Sequence, residues 1–275
     1  MIIDIHTHTY PDKIAEKVVA SLSAAAENTP PMTLGTEDSL IESMKKAGVT
    51  YSIIQPVATR PDQSESINRK VASVHERHPE LISFGAMHPD NENYREIILK
   101  LKADGIRGIK LHPVYQNVPF DDIRFMRIID CCEENGLAAL VHAGKDIGFP
   151  NGDDIIPPER IANVIRTLHP DKLILAHMAA WECWDRIDEI LEAGSFYADT
   201  AFSVKPDTDP QNYPRLMEKP AFEALVRKIG VDRVLFGSDS PWQGQKELVE
   251  TIKNCNFSAE ELEKIFRKNA EKMVL

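Results

Sequence analysis

Eight short apolar runs rich in β-branched residues, each followed by a longer amphipathic stretch, limit what this chain can fold into more than any other feature. The runs are residues 2–6, 51–55, 81–87, 106–111, 137–142, 173–177, 195–200 and 234–238; between and after them lie helix candidates at 38–47, 64–78, 91–103, 120–135, 158–168, 181–193, 220–229 and 243–253. Several of the runs are almost uninterrupted in apolar residues, the pattern of strands buried on both faces of a parallel sheet beneath helices. Eight such units predict an α/β chain closed into a (β/α)8 TIM barrel, and 275 residues suit one domain of that kind spanning 1–275. A doubly wound open sheet is the alternative, but the first run leads into histidines where a nucleotide-binding sheet would place a glycine-rich turn. Residues 11–26 read as an additional helix after the first strand. Residues 27–36, with Pro30, Pro31 and Gly35, read as an insertion over the barrel mouth, and 202–214 as a second insertion after the seventh strand. The tail 258–275 is expected to be a helix capped at Ser258 with Glu261 three residues on.

A formal charge of -11 argues against nucleic acid or an anionic membrane as partner, since both reward clustered Lys and Arg. Cys131, Cys132, Cys183 and Cys255 form no Cys-x-x-Cys pair, so neither a disulfide framework nor a cysteine zinc site is suggested. The first residues lack the features of a secretory signal, and no apolar run approaches spanning length. The expectation is a cytoplasmic protein acting on a small molecule, with homo-oligomerisation left open.

In a barrel the C-terminal strand ends surround the functional site, so polar residues at those ends carry weight. His6 and His8 close the first strand, His88 follows the third, Lys110 and His112 close the fourth, His142 the fifth, His177 the sixth and Asp239 the eighth. His75, His78 and His169 fall on helices or loops and read as surface residues. His6, His8, His142 and Asp239 make three imidazoles and one carboxylate, a donor set suited to one divalent ion, zinc first, with manganese, iron or nickel compatible. Water bound there has its pKa lowered toward about 7. His177 would then act on that water as base or proton shuttle. By strand parity Asp4 shares a face with His6, in a structural, supporting or ligating role.

The ordered motifs Asp-Ile-His-Thr-His (4–8), Lys-Leu-His-Pro (110–113), Val-His-Ala-Gly (141–144), Ala-His-Met (176–178) and Gly-Ser-Asp-Ser-Pro (237–241) resemble the amidohydrolase superfamily. They are similar in particular to the amidohydrolase-related branch of aminocarboxymuconate semialdehyde decarboxylase-like enzymes. The resemblance implies His6, His8, His142 and Asp239 as ligands of one metal, with His177 unliganded and Asp239 also accepting a proton from water. It leaves Lys110 open between a carboxylated bridge to a second ion, an ion pair and a substrate contact, and His112 between touching substrate and bracing a loop. The implied activity is hydrolysis of a small amide, ester or lactone by a metal-bound hydroxide. The alternative is nonoxidative decarboxylation of an unsaturated or aromatic acid at the same site, with Lys110, Lys145 and Lys205 as candidates to hold the carboxylate. Tyr115, Phe149, Trp181 and Trp242, just past strand ends, are candidate pocket walls. A barrel that binds without catalysis would show erosion of these motifs, and they are intact.

Overall fold

Phe84 and Gly108 illustrate how this barrel fills its own interior. The Phe84 ring is fully buried, and a Cβ added at Gly108 would come within 2.5 Å of it, so the missing side chain on one strand makes room for the large one on its neighbour. The structure is a computed structural model that describes residues 1–152, 154–208 and 215–274. Its strands are β1 (Ile3–Thr7), β2 (Tyr51–Ile54), β3 in two pieces (Leu81–Ser83 and Gly85–Ala86), β4 (Gly108–Leu111), β5 (Ala138–Val141), β6 (Leu173–Leu175), β7 (Tyr197–Asp199) and β8 (Val234–Leu235). Each pairs in parallel with the next. The interruption at Phe84 is bridged by its N–H donating to the Ile54 carbonyl at 2.9 Å. The ring closes where Ile5 N–H donates to Phe236 O and Asp239 N–H to His6 O, at 2.9 and 2.7 Å. This is the expected (β/α)8 barrel.

Alternation along the strands sorts the side chains into two layers. Ile3, Ile5, Ile53, Leu140, Ile174 and Leu235 fill the barrel, whose floor is closed by Ala270, Met273 and Val274 of the C-terminal helix. Ile109, Leu111, Val141, Leu173, Leu175 and Val234 point the other way and pack with Ile128, Ile165, Phe222 and Leu248 of the surrounding helices. Helices α2 (Glu37–Ala47) and α3 (Pro61–Arg77) join that layer, whereas α1 (Asp12–Ala25) lines the cavity at the mouth. The C-terminal helix starts with the Ser258/Glu261 capping box, passes through a π turn at Lys264–Lys268 and continues over Asn269–Val274; Leu275 lies outside the described residues. Among the described residues no helix is long and apolar enough to cross a membrane.

The insertions sit where they help to build the mouth. Met32 N–H donates to Pro241 O at 2.6 Å and Tyr10 N–H to Gly35 O at 2.7 Å, so 27–36 is tied across the strand ends. Of the second insertion, 209–214 lie outside the described residues. Its flanks are drawn together as Lys205 N–H donates to Met217 O and Met217 N–H to Ser203 O, both at 2.9 Å.

Two local expectations are corrected. The helix over 181–193 is reduced to a 3-10 turn at Trp184–Arg186 and one short helix at Ile187–Leu191. Trp181 is instead held against the segment after β5, its N–H donating to Ala143 O at 2.9 Å and its carbonyl accepting from Lys145 N–H at 3.0 Å. That approach requires glycine at 144, where φ is +90° and a Cβ would lie 2.2 Å from Trp181 N. Asp4, second, does not share a face with His6. The register shifts between Asp4 and Thr7, so Asp4 turns outward while His6 turns in. There the Asp4 carboxylate accepts from Ser238 N–H at 3.0 Å, the Ser238 hydroxyl and Gln245 Nε2 at 2.8 Å, binding β1 to the loop after β8.

Candidate active site

His6, His8 and Asp239 converge at the mouth. His6 Nε2 lies 3.2 Å from His8 Nε2, and Asp239 Oδ1 is 3.5 and 3.2 Å from those two atoms. Lys110 Nζ reaches His6 Nε2 at 3.0 Å. On the adjoining wall His142 Nδ1 lies 3.0 Å from His177 Nε2. The structure therefore gathers three of the four expected ligand residues into one trio and sets His142 beside it, against His177.

The outer nitrogens decide what the inner ones can do. His6 Nδ1 faces the Asp199 carboxylate at 2.8 Å, His8 Nδ1 the Gln55 carbonyl at 2.8 Å, His142 Nε2 the Lys145 carbonyl at 2.9 Å and His177 Nδ1 the Ala201 carbonyl at 2.9 Å. Each of those partners only accepts, so each outer nitrogen carries the proton and donates it. In the neutral rings the four inner nitrogens then present lone pairs: His6 Nε2 accepts from Lys110 Nζ at 3.0 Å, and the inner nitrogens otherwise face one another and a carboxylate at 3.0–3.5 Å. Such a cluster of acceptors needs protons or a cation among them. The residues thus fit a divalent metal by tautomer as well as by type.

Electrostatics agree. Burial, with the nearby Lys110 charge, holds His6 and His142 well below the ordinary imidazole value, and burial lowers His177, so all three rings are neutral near pH 7. Burial lowers Lys110 to about 8 and raises Asp199 to about 6. For Asp239 burial acts to raise the pKa, but the surrounding His6, His8 and His177 outweigh it and the carboxyl is held well below its usual range. His177, Met178 and Ala179 follow β6 with φ of 59°, 54° and 71°, and Asp239 follows β8 at 62°. Four non-glycine residues in the left-handed region concentrate backbone strain at this rim.

A second group, His112, His142 and Asp146, also brings ligand atoms within 4.8 Å of one another. Its protons are arranged differently. His112 Nδ1 accepts from Tyr115 N–H at 3.4 Å, so His112 Nε2 carries a proton, and it faces Asp146 Oδ2 at 3.5 Å beside the protonated Nε2 of His142 at 3.6 Å. Two N–H groups facing a carboxylate leave this group without the imidazole lone pairs that a metal would need.

The histidines named above, with Lys110, Asp146 and Asp239, open into one cavity of about 1230 Å³, while Asp199 is fully buried behind it. Its walls include the expected Tyr115, Phe149, Trp181 and Trp242, with Lys110, His112 and Lys145. Lys205 and His88 are not among its lining residues: Lys205 pairs with Glu218 at 3.5 Å, and His88 Nδ1 accepts from Asp90 N–H at 3.2 Å. Sequence reasoning missed Asp146 and Asp199. Asp199 ends β7, so the same strand-end rule that selected the histidines applies to it; Asp146 lies in a loop with no periodic signal.

Comparison with known proteins gives a consistent picture. A family model described as amidohydrolase matches residues 3–274. Among solved structures, a putative amidohydrolase from Staphylococcus aureus is similar with a TM-score of 0.71 and 17% identity, over 99% of each chain. The 5-carboxyvanillate decarboxylase of Novosphingobium aromaticivorans, with bound manganese, has a TM-score of 0.67 and 16% identity over 99% of this chain and 96% of that one. A probable 2-pyrone-4,6-dicarboxylic acid hydrolase from Acinetobacter baumannii gives 0.64 and 16% over 99% and 98%. No curated protein matches the chain.

Proposed function

This chain belongs to the amidohydrolase family, and on that premise we propose that it is a metal-dependent hydrolase of small amides, esters or lactones. The observation that carries the reading is the set of four imidazole rings whose outer nitrogens are held by acceptors, so that their inner nitrogens turn toward one centre beside Asp239. His6, His8 and Asp239 would hold one divalent ion, with His142 completing the set. Zinc is the ion we expect, and manganese, which the Novosphingobium decarboxylase binds, suits the same donors. Such an ion supplies Lewis-acid chemistry, acidifying water and polarising a carbonyl. The chain's own residues do the rest. His177 Nε2, neutral and fixed by the Ala201 carbonyl, accepts the proton of the attacking water and returns it to the leaving group. Asp239 takes part in the same transfer, and Lys110 and His112 face the substrate from the wall.

Nonoxidative decarboxylation is the second reading, favoured by the cavity's aromatic lining, which suits a flat unsaturated acid, and by a decarboxylase among the similar structures. Simple esters, lactones and anilides, assayed in parallel with carboxylated phenols monitored for carbon dioxide, separate the two. Turnover of the first group, lost with chelator and restored by zinc or manganese, supports hydrolysis. Carbon dioxide release from the acids alone overturns it in favour of decarboxylation.

A further inference from the structure

Helix α1 turns an apolar stripe, Ile14, Val18 and Leu22, toward the cavity rather than into a core: only Ala15 and Val19 of this helix are buried, and Ile14 is 47% exposed. These residues stand at i, i+4 and i+8, one face of a helix. Helix α3 lines the same cavity with Ile67, Val71 and Val74, at i, i+4 and i+7. The cavity that holds His6, His8, His177 and Asp239 thus continues into a slot between two helices, apolar along α1 and mixed along α3, where Gln63, Ser66, Lys70 and Ser73 stand beside the apolar residues. At about 1230 Å³ it exceeds the roughly 300–1,000 Å³ typical of small-molecule pockets. Val71 and Val74 are themselves buried, so the apolar surface left open to the cavity is Ile14, Val18 and Leu22 of α1 with Ile67 of α3, surface that a ligand would cover.

We propose that this slot binds the apolar tail of the substrate, so that the enzyme prefers acyl or alkyl chains attached to the reacting carbonyl over compact substrates. The inference rests on the hydrolytic reading for its kinetic test only. From Ile14 to Leu22 the stripe runs about 12 Å, room for a chain of roughly eight to ten methylenes. Continuity with the histidine centre selects a substrate tail as occupant, because a chain lying along the slot leads its carbonyl to His177 and Asp239.

The test combines turnover with direct binding. For para-nitrophenyl esters from acetate to octanoate, kcat/KM should rise about threefold to fourfold per methylene that enters the slot. The double variant Ile14→Glu, Val18→Glu should flatten that dependence, chiefly through KM, whereas Ala20→Glu, which puts the same charge on the exposed side of α1, should keep it. Fluorescence titration with cis-parinaric acid, a long-chain fatty acid, should saturate in the parent and fail in the double variant, and it needs no catalysis. Saturable binding without hydrolysis of any ester would uphold the slot while removing the hydrolytic reading. Turnover independent of chain length, with no cis-parinaric acid binding, would overturn the slot and leave hydrolysis standing. A dimer that dissociates in the double variant, again without fatty acid binding, would assign the stripes to a second copy of the chain and overturn the proposal equally.

Discussion

Asp199→Asn should disable the centre without disturbing the fold. One oxygen of Asp199 accepts from the N–H groups of His177 and Ala201 at 2.9 and 3.0 Å; the other accepts from His6 Nδ1 at 2.8 Å. Asparagine has the same shape but a single oxygen, which the two main-chain donors claim. Its NH2 group then faces His6 Nδ1, a donor against a donor. The ring relieves this by moving its proton to Nε2, which caps the atom that faces His8 and Asp239. Loss of a carboxylate that orients a metal-binding histidine lowers metal affinity about 10–100-fold, equivalent to about 1.4–2.7 kcal/mol. The substitution also removes a buried carboxyl whose pKa burial has raised to about 6, so stability should change little. Zinc affinity measured by competition with a chromophoric chelator, alongside a thermal melt, is the assay. Parental affinity in a folded Asp199→Asn protein would refute the tautomer reasoning.

Three further outcomes are expected. Lys110, lowered to about 8 by burial and 3.0 Å from His6 Nε2, repels a cation while it is protonated; manganese affinity should therefore rise as pH passes upward through about 8, and a Lys110→Met variant titrated by electron paramagnetic resonance should lose that step. His177→Asn should lower kcat by about 10²–10⁴ with bound metal unchanged, whereas loss of metal in that variant would make His177 a ligand and favour a two-ion site bridged through Lys110. Gly144→Ala must place a Cβ 2.2 Å from Trp181 N at φ +90°, and calorimetry should show a destabilisation on the order of 2–4 kcal/mol; an unchanged melting temperature would contradict the close packing of that segment.

The fold was legible because buried parallel strands must be apolar on both faces, and that burial writes uninterrupted runs such as residues 137–142 into the chain. The histidines were legible because each stands where such a run ends. Periodicity lost its hold where tertiary contacts override it. Residues 181–193 carry a helical pattern, yet the hydrogen bonds of Trp181 to Ala143 and Lys145 draw the start of the segment out of helix. Parity misplaced Asp4 because the irregularity between Asp4 and Thr7 has no residue signature of its own. The partition of the histidines, with His142 paired to His177 beside the His6, His8 and Asp239 trio, depends on which carbonyl each ring meets. Those carbonyls belong to Gln55, Lys145 and Ala201, whose side chains say nothing about it.

Metal content per chain, by elemental analysis of protein purified without chelator or added metal, tests the account most directly when the parent is compared with His8→Ala. The arrangement of inward imidazole nitrogens predicts about one equivalent of zinc or another divalent ion in the parent and a clear loss in the variant. No bound metal in the parent, and none taken up when zinc or manganese is supplied, would contradict the claim that these histidines are set to hold a cation.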